Sequence, residues 1–548
     1  MRVMNVAVLF CVLLVGLVGL GAFGEAEPQY GGELVYAYPG EARSLFPGTV
    51  WGWLEMEIWA NCLETLVQRN AEGELVPYLA KSWDFSEDGL QCTFNLREGI
   101  QYADGSPFNA EAVEFVYSEA LRVPFGSVSM LSGVNKIEAT DEYTVVFHFD
   151  KPLASFIANM SCSSLSLWSP ALYQEHGKDY MDTHLLGTGP FMLDEWVHGE
   201  YIRLVKNENY WQDGLPYLDA IKYVIVPDES VRIMMLEAGE ADRTINVNDF
   251  ELERLDAAAD ITVRTIPSAR QYYIIINNVV HPLDNANVRR ALNYAVSKKG
   301  IVQTVFAGVG AAVPRAPILS ENVAFFTDMT KPGEDCLYEQ DLDMAARYFA
   351  LAGFEDRDGN GILEDPYGEE LTLKLWGEEG HYKGDVKLFE ALGQMLSNAG
   401  VKVETQILEH ATYSAKFRLE PERAEYDLGV LAWGIPTLDP DEVALNLFYS
   451  YLDLPRPGIN RMFYGNPEVD ALAMEQHYAI DPVERQALLD QWAAQVVEDA
   501  PVIFMPTLSL NLVTRTYLHN DEIRSNEAFP HAFAWLDQEE MARQGVSR

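Results

Sequence analysis

Short runs in which apolar and polar residues alternate recur along the whole chain: Glu33 to Tyr38, Tyr143 to Phe149, Ile221 to Val226 and Leu371 to Leu375. A period of two puts successive side chains on opposite faces of an extended segment, so these runs predict strands. Between them the period becomes that of a helix. Val113, Val116, Tyr117, Ala120 and Leu121 fall at i, i+3, i+4, i+7 and i+8 behind Asn109, whose side chain suits a helix start. Val288, Ala291, Leu292, Ala295 and Val296 repeat that spacing after Pro282-Leu283-Asp284. Two further segments read as buried strands that could cross between lobes: Gln271 to Asn278, apolar in its middle, and Pro501 to Pro506, which precedes Leu508 to Val513. No low-complexity linker or short repeat separates these elements, and strands and helices are interspersed throughout. The pattern predicts an α/β protein in at least two lobes.

The first residues follow a different logic. Arg2 supplies a basic start, Val6 to Gly21 carries no charge, and Ala22-Phe23-Gly24 offers small residues before the polar Glu25-Ala26-Glu27-Pro28. This is the layout of a secretory signal peptide over residues 1–24. The apolar run of about 16 residues falls short of the roughly 20 that span a bilayer, which favours cleavage over an uncleaved anchor. Cys11 sits too early to be the acylated cysteine of a lipoprotein, so an exported protein, periplasmic or extracellular and without a lipid anchor, is expected.

Charge narrows the partners. The chain has 83 Asp and Glu against 39 Lys and Arg, a formal net charge of −44. Such a surface repels phosphate backbones, so nucleic acid is excluded as a natural partner. Past the signal segment the cysteines are Cys62, Cys92, Cys162 and Cys336, with no CxxC or His/Cys cluster to suggest zinc. One or two disulfides are compatible with an oxidising compartment, and the three full pairings stay open.

The motifs of catalysis are missing. His176, His410 and His477 neighbour Glu but lack the second His of H-E-x-x-H, and neither a G-x-S-x-G elbow nor a P-loop is present. The one G-x-G-x-x-G, Gly19 to Gly24, lies inside the signal segment. Paired carboxylates of the glycosidase kind could hide among so many acids, so a secreted hydrolase is the rival reading; a solvated acidic surface is the simpler one. A single metal-like motif occurs. Asp356, Asp358 and Asn360 at loop positions 1, 3 and 5, Gly361 at 6, the Ile362 carbonyl at 7 and Glu364 at 9 follow the first part of an EF-hand loop. Position 12 is Tyr367 rather than Glu, so the expectation is at most a structural calcium, against a plain polar turn; no other cofactor is expected.

Aromatic residues suggest a binding face. Trp51, Trp53 and Trp59 cluster near the N-terminus, and Trp433-Gly434 closes the apolar stretch Leu428 to Ala432 before Ile435-Pro436-Thr437-Leu438-Asp439-Pro440-Asp441. An aromatic at a strand end suits the wall of a cleft for peptide or sugar.

Taken in order, several segments resemble the extracellular solute-binding proteins of oligopeptide, dipeptide and nickel ABC importers. They are Gly31 to Val35 with Ser44-Leu45-Phe46-Pro47; Leu75 to Trp83 with Asp88-Gly89-Leu90, Phe94 to Arg97 and Asp104 to Phe108; Gly187 to Phe191 with Asn207 to Trp211; Asn287 to Ala295; and Trp433 to Asp441. The resemblance implies a large bilobal periplasmic-binding-protein fold of type II, cluster C-like, with an inserted subdomain. Projected on this chain, lobe I takes 25–58, 185–277 and 508–548, the insert 59–184, and lobe II 278–507. It also implies a monomer that closes over a small solute and hands it to membrane permease subunits, not an enzyme; a receptor or chaperone role for such a fold is the further alternative. Position by position, the ligand residues it points to are Glu41, Arg43, Ser44, Tyr273, Asn278, Trp433 and Asp439, with Trp51 and Trp53 added for stacking. The chain departs from the peptide-binding pattern at Pro436, where peptide binders of this type carry the Asp that takes the α-amino group. Oligopeptide remains the expected cargo, with oligosaccharide as the alternative and nickel or another small solute behind them.

Overall fold

The computed structural model describes residues 27–547 except 48, 50, 51, 123–129, 380, 381, 418–423 and 451–459. The signal segment and Trp51 lie outside this set.

An 11-stranded mixed sheet runs through the whole molecule. Its centre is a pair of long antiparallel strands, Ile261–Ile276 and Val502–Arg515, that belong to both halves. On one side, Arg243–Ile245 pairs with Val502–Arg515, and Glu33–Tyr38, Ala220–Ile225, Tyr201–Lys206 and Phe191–Val197 follow outward. On the other side, Leu428–Gly434 pairs with Ile261–Ile276, and Thr372–Glu379 and Lys402–Glu409 follow, all three parallel to one another. The two apolar segments expected to cross between lobes are thus parts of these central strands. The second runs unbroken through Pro506, which cannot donate to a ladder. Pro506 is tolerated because it falls in a register shift, where the partners jump from Gln271↔Thr507 to Tyr273↔Phe504.

The apolar side chains collect into two large cores. One contains residues from Leu34 to Ile245 and from Leu510 to Met541; the other runs from Ala269 to Leu508. They part near Pro267 to Gln271, where the ladder shifts register again, and opposite Leu508 to Leu510. The first crossing therefore comes earlier along the chain than the 277/278 break expected from the sequence. Residues 59–184 contribute a four-stranded antiparallel sheet of Ala80–Phe85, Gln91–Leu96, Val134–Asp141 and Thr144–Phe149, with the helix Ala110–Arg122. That helix starts as its cap predicts, with the Ala112 amide donating to Asn109 Oδ1 at 2.9 Å. In the helix Ala286–Ala295 the predicted stripe Val288, Ala291, Leu292 and Ala295 is fully buried.

Cys62, Cys92, Cys162 and Cys336 are all free and buried. Cys62, Cys92 and Cys162 fill the first core as small apolar side chains and Cys336 is buried beside Leu337, which replaces the expectation of disulfides. Among the described residues, no helix is long and apolar enough to cross a membrane.

Candidate functional site

Both sets of parallel strands point their carboxyl ends at the place where the cores part. Ile245 stands opposite Leu512 and Gly434 opposite Arg270, so each set stops just short of the crossing. The carboxyl ends of parallel strands are where open α/β sheets leave a crevice for ligands. Here the crevice is spanned on two flanks. On one flank Lys383 Nζ lies 2.8 Å from Asp249 Oδ1 and donates to the Ser509 carbonyl at 3.1 Å. On the other, Arg69 Nε donates at 2.8 Å to the Thr437 carbonyl, which Arg69 Nη2 also reaches. Ser155 Oγ donates to Asp441 Oδ2 at 2.8 Å on the same side. The two halves are therefore closed on each other.

The crossing strand puts Arg270 at the centre. Its Nε and Nη2 donate to the two carboxylate oxygens of Glu527 at 2.9 and 2.6 Å, the bidentate geometry that makes such pairs strong. The guanidinium also lies 5.8 Å from the Tyr382 ring centroid. Gly434 explains itself here: a Cβ at that position would sit 2.8 Å from Arg270 Nη2. Trp433 precedes it, half-buried, on the same ladder rung as Gln271. The Trp433 indole Nε1 and the Gln271 amide Oε1 are both buried without a hydrogen-bond partner.

Three acids follow Trp433. Asp439 is buried and bound by both arms of Arg485, at 2.9 and 2.6 Å. Asp441 receives Gln476 Nε2 at 2.6 Å and lies 2.8 Å from His477 Nδ1. Glu442, half-buried, accepts from the Thr437 hydroxyl at 3.2 Å, its one hydrogen bond among the described residues. Burial, reinforced by the charges of Asp439 and Asp441, pushes its carboxyl up to about 8, with the Thr437 hydrogen bond and Arg270 opposing.

The residues expected from the sequence are only partly gathered here. Trp433 is at the junction. Asp439 is not available to a ligand, because Arg485 occupies both its oxygens; this corrects the role expected for it. Glu41 accepts from Trp196 Nε1 at 3.3 Å and the Gly199 amide at 2.9 Å, tying the opening turn to a neighbouring hairpin. Arg43 approaches Glu55 through its amide and Nε. Ser44 is buried and donates to Asp182 Oδ1 at 2.6 Å. Tyr273 is a core residue, 2 % exposed. Asn278 lies at the far end of its strand, donating to the Ile276, Met462 and Pro501 carbonyls as a backbone staple. Trp53 opens the helix Trp53–Cys62, its side chain outside the described set. Trp59 is fully buried and donates to the Leu45 carbonyl at 2.7 Å, so this member of the N-terminal cluster is core rather than a stacking platform. Arg69, Arg270, Tyr382, Glu442 and Glu527 were missed. Glu442 had a signal, the acid directly after Asp439-Pro440-Asp441; the others come together only through the fold.

Away from the junction, Asp356, Asp358 and Glu364 each present an oxygen, all within 4.8 Å of one another. Asp356 also accepts from the Gly359 amide and Asn360 from the Ile362 amide, closing the loop as the motif requires. All-oxygen donors of this kind fit a hard cation such as calcium.

These features have known counterparts. Residues 74–452 match the model of the bacterial extracellular solute-binding proteins, family 5 (middle region), and the chain belongs to that family. It is 28% identical over 477 residues to the glutathione-binding protein GsiB of Escherichia coli O1:K1, covering 86% of this chain and 88% of that one. Among solved structures, NikA from Brucella suis in complex with Fe(III)-EDTA superposes with a TM-score of 0.81 at 22% identity, over 92% of this chain and all of that one. DppA from Helicobacter pylori in complex with the peptide STSA gives 0.78 at 25% identity, over 93% and 99%. The fold is the bilobal periplasmic-binding type expected from the sequence.

Proposed function

We propose that the chain is exported and serves an ABC importer as its substrate-binding protein, closing its two lobes over a peptide-sized solute and presenting it to membrane permease subunits. The observation that carries this reading is the junction itself: a tryptophan with a free indole N–H, flanked by polar groups and spanned by contacts between two separate cores. The protein acts as a monomeric binder and not as an enzyme. The names of its relatives support short peptides, glutathione among them, as the class of cargo. Oligosaccharide is less well supported, because Trp59 is buried in the core. We also read the loop 356–364 as a structural calcium site, remote from the cargo.

The test is to titrate the purified protein with pools of di- to tetrapeptides and of oligosaccharides while following thermal unfolding. Saturable stabilisation with the ligand recovered intact is expected. Turnover of the ligand into product would overturn the reading. Trp433→Ala should weaken binding by roughly thirtyfold, the loss of about 2 kcal/mol typical of a buried aromatic anchor; unchanged affinity would remove Trp433 from the site.

A further inference from the structure

The C-terminal part of the chain reaches the junction as a loop. Between Leu518–His519 and Trp535–Leu536 it forms neither helix nor strand. The tip of this loop touches the site. The Ser525 carbonyl accepts from the Ala269 amide at 2.9 Å, Glu527 holds Arg270, and Arg524 Nη1 donates to the Arg69 carbonyl at 2.8 Å. A loop with no ladder of its own depends on what ties its two ends. Those ends are Asp521 and His531, with Oδ1 and Nδ1 3.0 Å apart. Asn61 supports the second end, donating to the Phe529 carbonyl at 3.0 Å and accepting from the His531 amide at 2.8 Å.

The pair belongs to a sealed cluster. His531 Nε2 lies 3.1 Å from Glu57 Oε1, and Arg243 donates to Glu57 Oε1 from Nη1 and to Asp521 Oδ2 from Nε, both at 2.8 Å. All four side chains are fully buried. At the edge, Arg264 Nη2 lies 3.4 Å from Asp521 Oδ2, and the Tyr36 ring meets the imidazole edge-on with centroids 6.4 Å apart. A neutral imidazole has one N–H and one lone pair. Here both ring nitrogens face carboxylate oxygens, so a neutral ring would press its lone pair against one of them. The imidazolium donates to both. Glu57 Oε2 and Arg243 Nη2 are buried without partners, so the cluster is costly and relies on the bonds it does make.

We propose that His531 is a proton-dependent lock on the loop 521–531: as the imidazolium it clamps the loop between Asp521 and Glu57, and the loop holds Arg69 and Arg270 in place at the junction. This goes beyond the solute-binding reading and does not depend on which cargo is carried. Burial pushes the His531 imidazole down, but its bonds to Asp521 and Glu57 outweigh burial and hold it above its ordinary value. With the folded value raised, the lock is complete below the unfolded value near 6.5 and is lost as pH rises through the folded one. Loss of the proton turns one of the two bonds into a repulsion. The loop end is then released, and the grip of Glu527 on Arg270 and of Arg524 on Arg69 loosens with it.

The experiment follows hydrogen–deuterium exchange of the full chain by mass spectrometry between about pH 6 and about pH 9, corrected for the pH dependence of chemical exchange. Amide protection in the loop 521–531 should fall by at least about tenfold as pH rises, the effect of one unit of pKa shift, while the helix Ala286–Ala295 in the other core keeps its protection and serves as the internal reference. In His531→Gln, which cannot take up the proton, the loop should be poorly protected at every pH, with no titration. Arg264→Met removes a half-exposed cation from the edge of the cluster and should move the midpoint to higher pH. It is the milder change, so it and the wild type decide the question if His531→Gln does not fold. A flat wild-type profile, a titration that survives His531→Gln, or a midpoint that stays or falls in Arg264→Met would overturn the assignment, and each would leave the solute-binding reading standing.

Discussion

Glu64 illustrates how a single side chain can hold distant parts of the chain together. Its carboxylate is 2 % exposed and accepts from Thr188 Oγ1 at 2.7 Å, Tyr210 OH at 3.0 Å and Trp211 Nε1 at 2.8 Å. No cation is paired with it among the described residues. Burial raises its carboxyl to about 7, and the donated hydrogen bonds hold it back from going higher. Between the unfolded value near 4.5 and the folded value of about 7, the folded protein keeps a proton that the unfolded chain has lost. Stability from this group is therefore complete at low pH, falls as pH rises through that window, and is level above it. A shift of this size corresponds to about 3 kcal/mol. Glu64→Gln should flatten the decline in urea-unfolding free energy between pH 5 and pH 7; an identical slope in wild type and variant would contradict this account. None of it was legible at Glu64 itself, which sits between Leu63 and Thr65 without a motif. The donors, however, lie in Gly187 to Phe191 and Asn207 to Trp211, two of the blocks that carried the family resemblance. Their recognisable residues converge on one carboxylate that the sequence gives no reason to single out.

Elements were read well where a local period decided them and poorly where a distant partner did. The strand Glu33–Tyr38 matches its predicted run, although Leu34 to Tyr38 are all buried and both of its faces are covered. Gly187 and Gly189 look like flexible punctuation in the sequence, but they are places of contact. A Cβ on Gly187 would meet the Cys62 carbonyl oxygen at 2.5 Å, and one on Gly189 would meet the same peptide group at 2.6 Å. No local pattern announces that the end of the helix Trp53–Cys62 will press there. The loop 356–364 is the opposite case, since its spacing of oxygen donors was legible and its three carboxylates do converge. If the loop holds calcium, added calcium should raise the unfolding temperature and a chelator should lower it, by up to about 2.7 kcal/mol when calcium is a hundredfold above its dissociation constant. Asp358→Asn should reduce the effect without changing peptide binding. Absence of a calorimetric calcium signal, together with the same melting curve in chelator, would leave the loop as a polar turn.

At the scale of the molecule, two cores share one sheet, and the ligand site is whatever the contacts between them enclose. The sequence announced the cores through their strands and helices. It could not announce the contacts, because Arg69 and Thr437, or Asp249 and Lys383, lie far apart along the chain and neither pair stands in a motif. Arg69 is the informative one. It is 7 % exposed, it spends Nε and Nη2 on the Thr437 carbonyl, and its own carbonyl accepts from Arg524 Nη1 at 2.8 Å. In an open arrangement its guanidinium would return to water, so its bonds to Thr437 stabilise only the closed one. Hydrogen bonds to a charged group contribute roughly 1.5–3 kcal/mol. Arg69→Met should therefore weaken ligand binding by about ten- to a hundredfold, chiefly through faster dissociation, with little change in the unfolding of either core. Stopped-flow release of a bound peptide measures this, and an unaltered dissociation rate would mean that the Arg69 contact does not hold the lobes together. The same carbonyl gripped by Arg69 belongs to the residue whose hydroxyl holds Glu442. The inter-lobe contact and the Glu442 carboxyl group thus meet on Thr437. Arg69→Met and Glu442→Gln should consequently be non-additive in binding free energy, as groups sharing a partner are. Strict additivity in that double-mutant cycle would mean that Glu442 acts independently of the Arg69 contact.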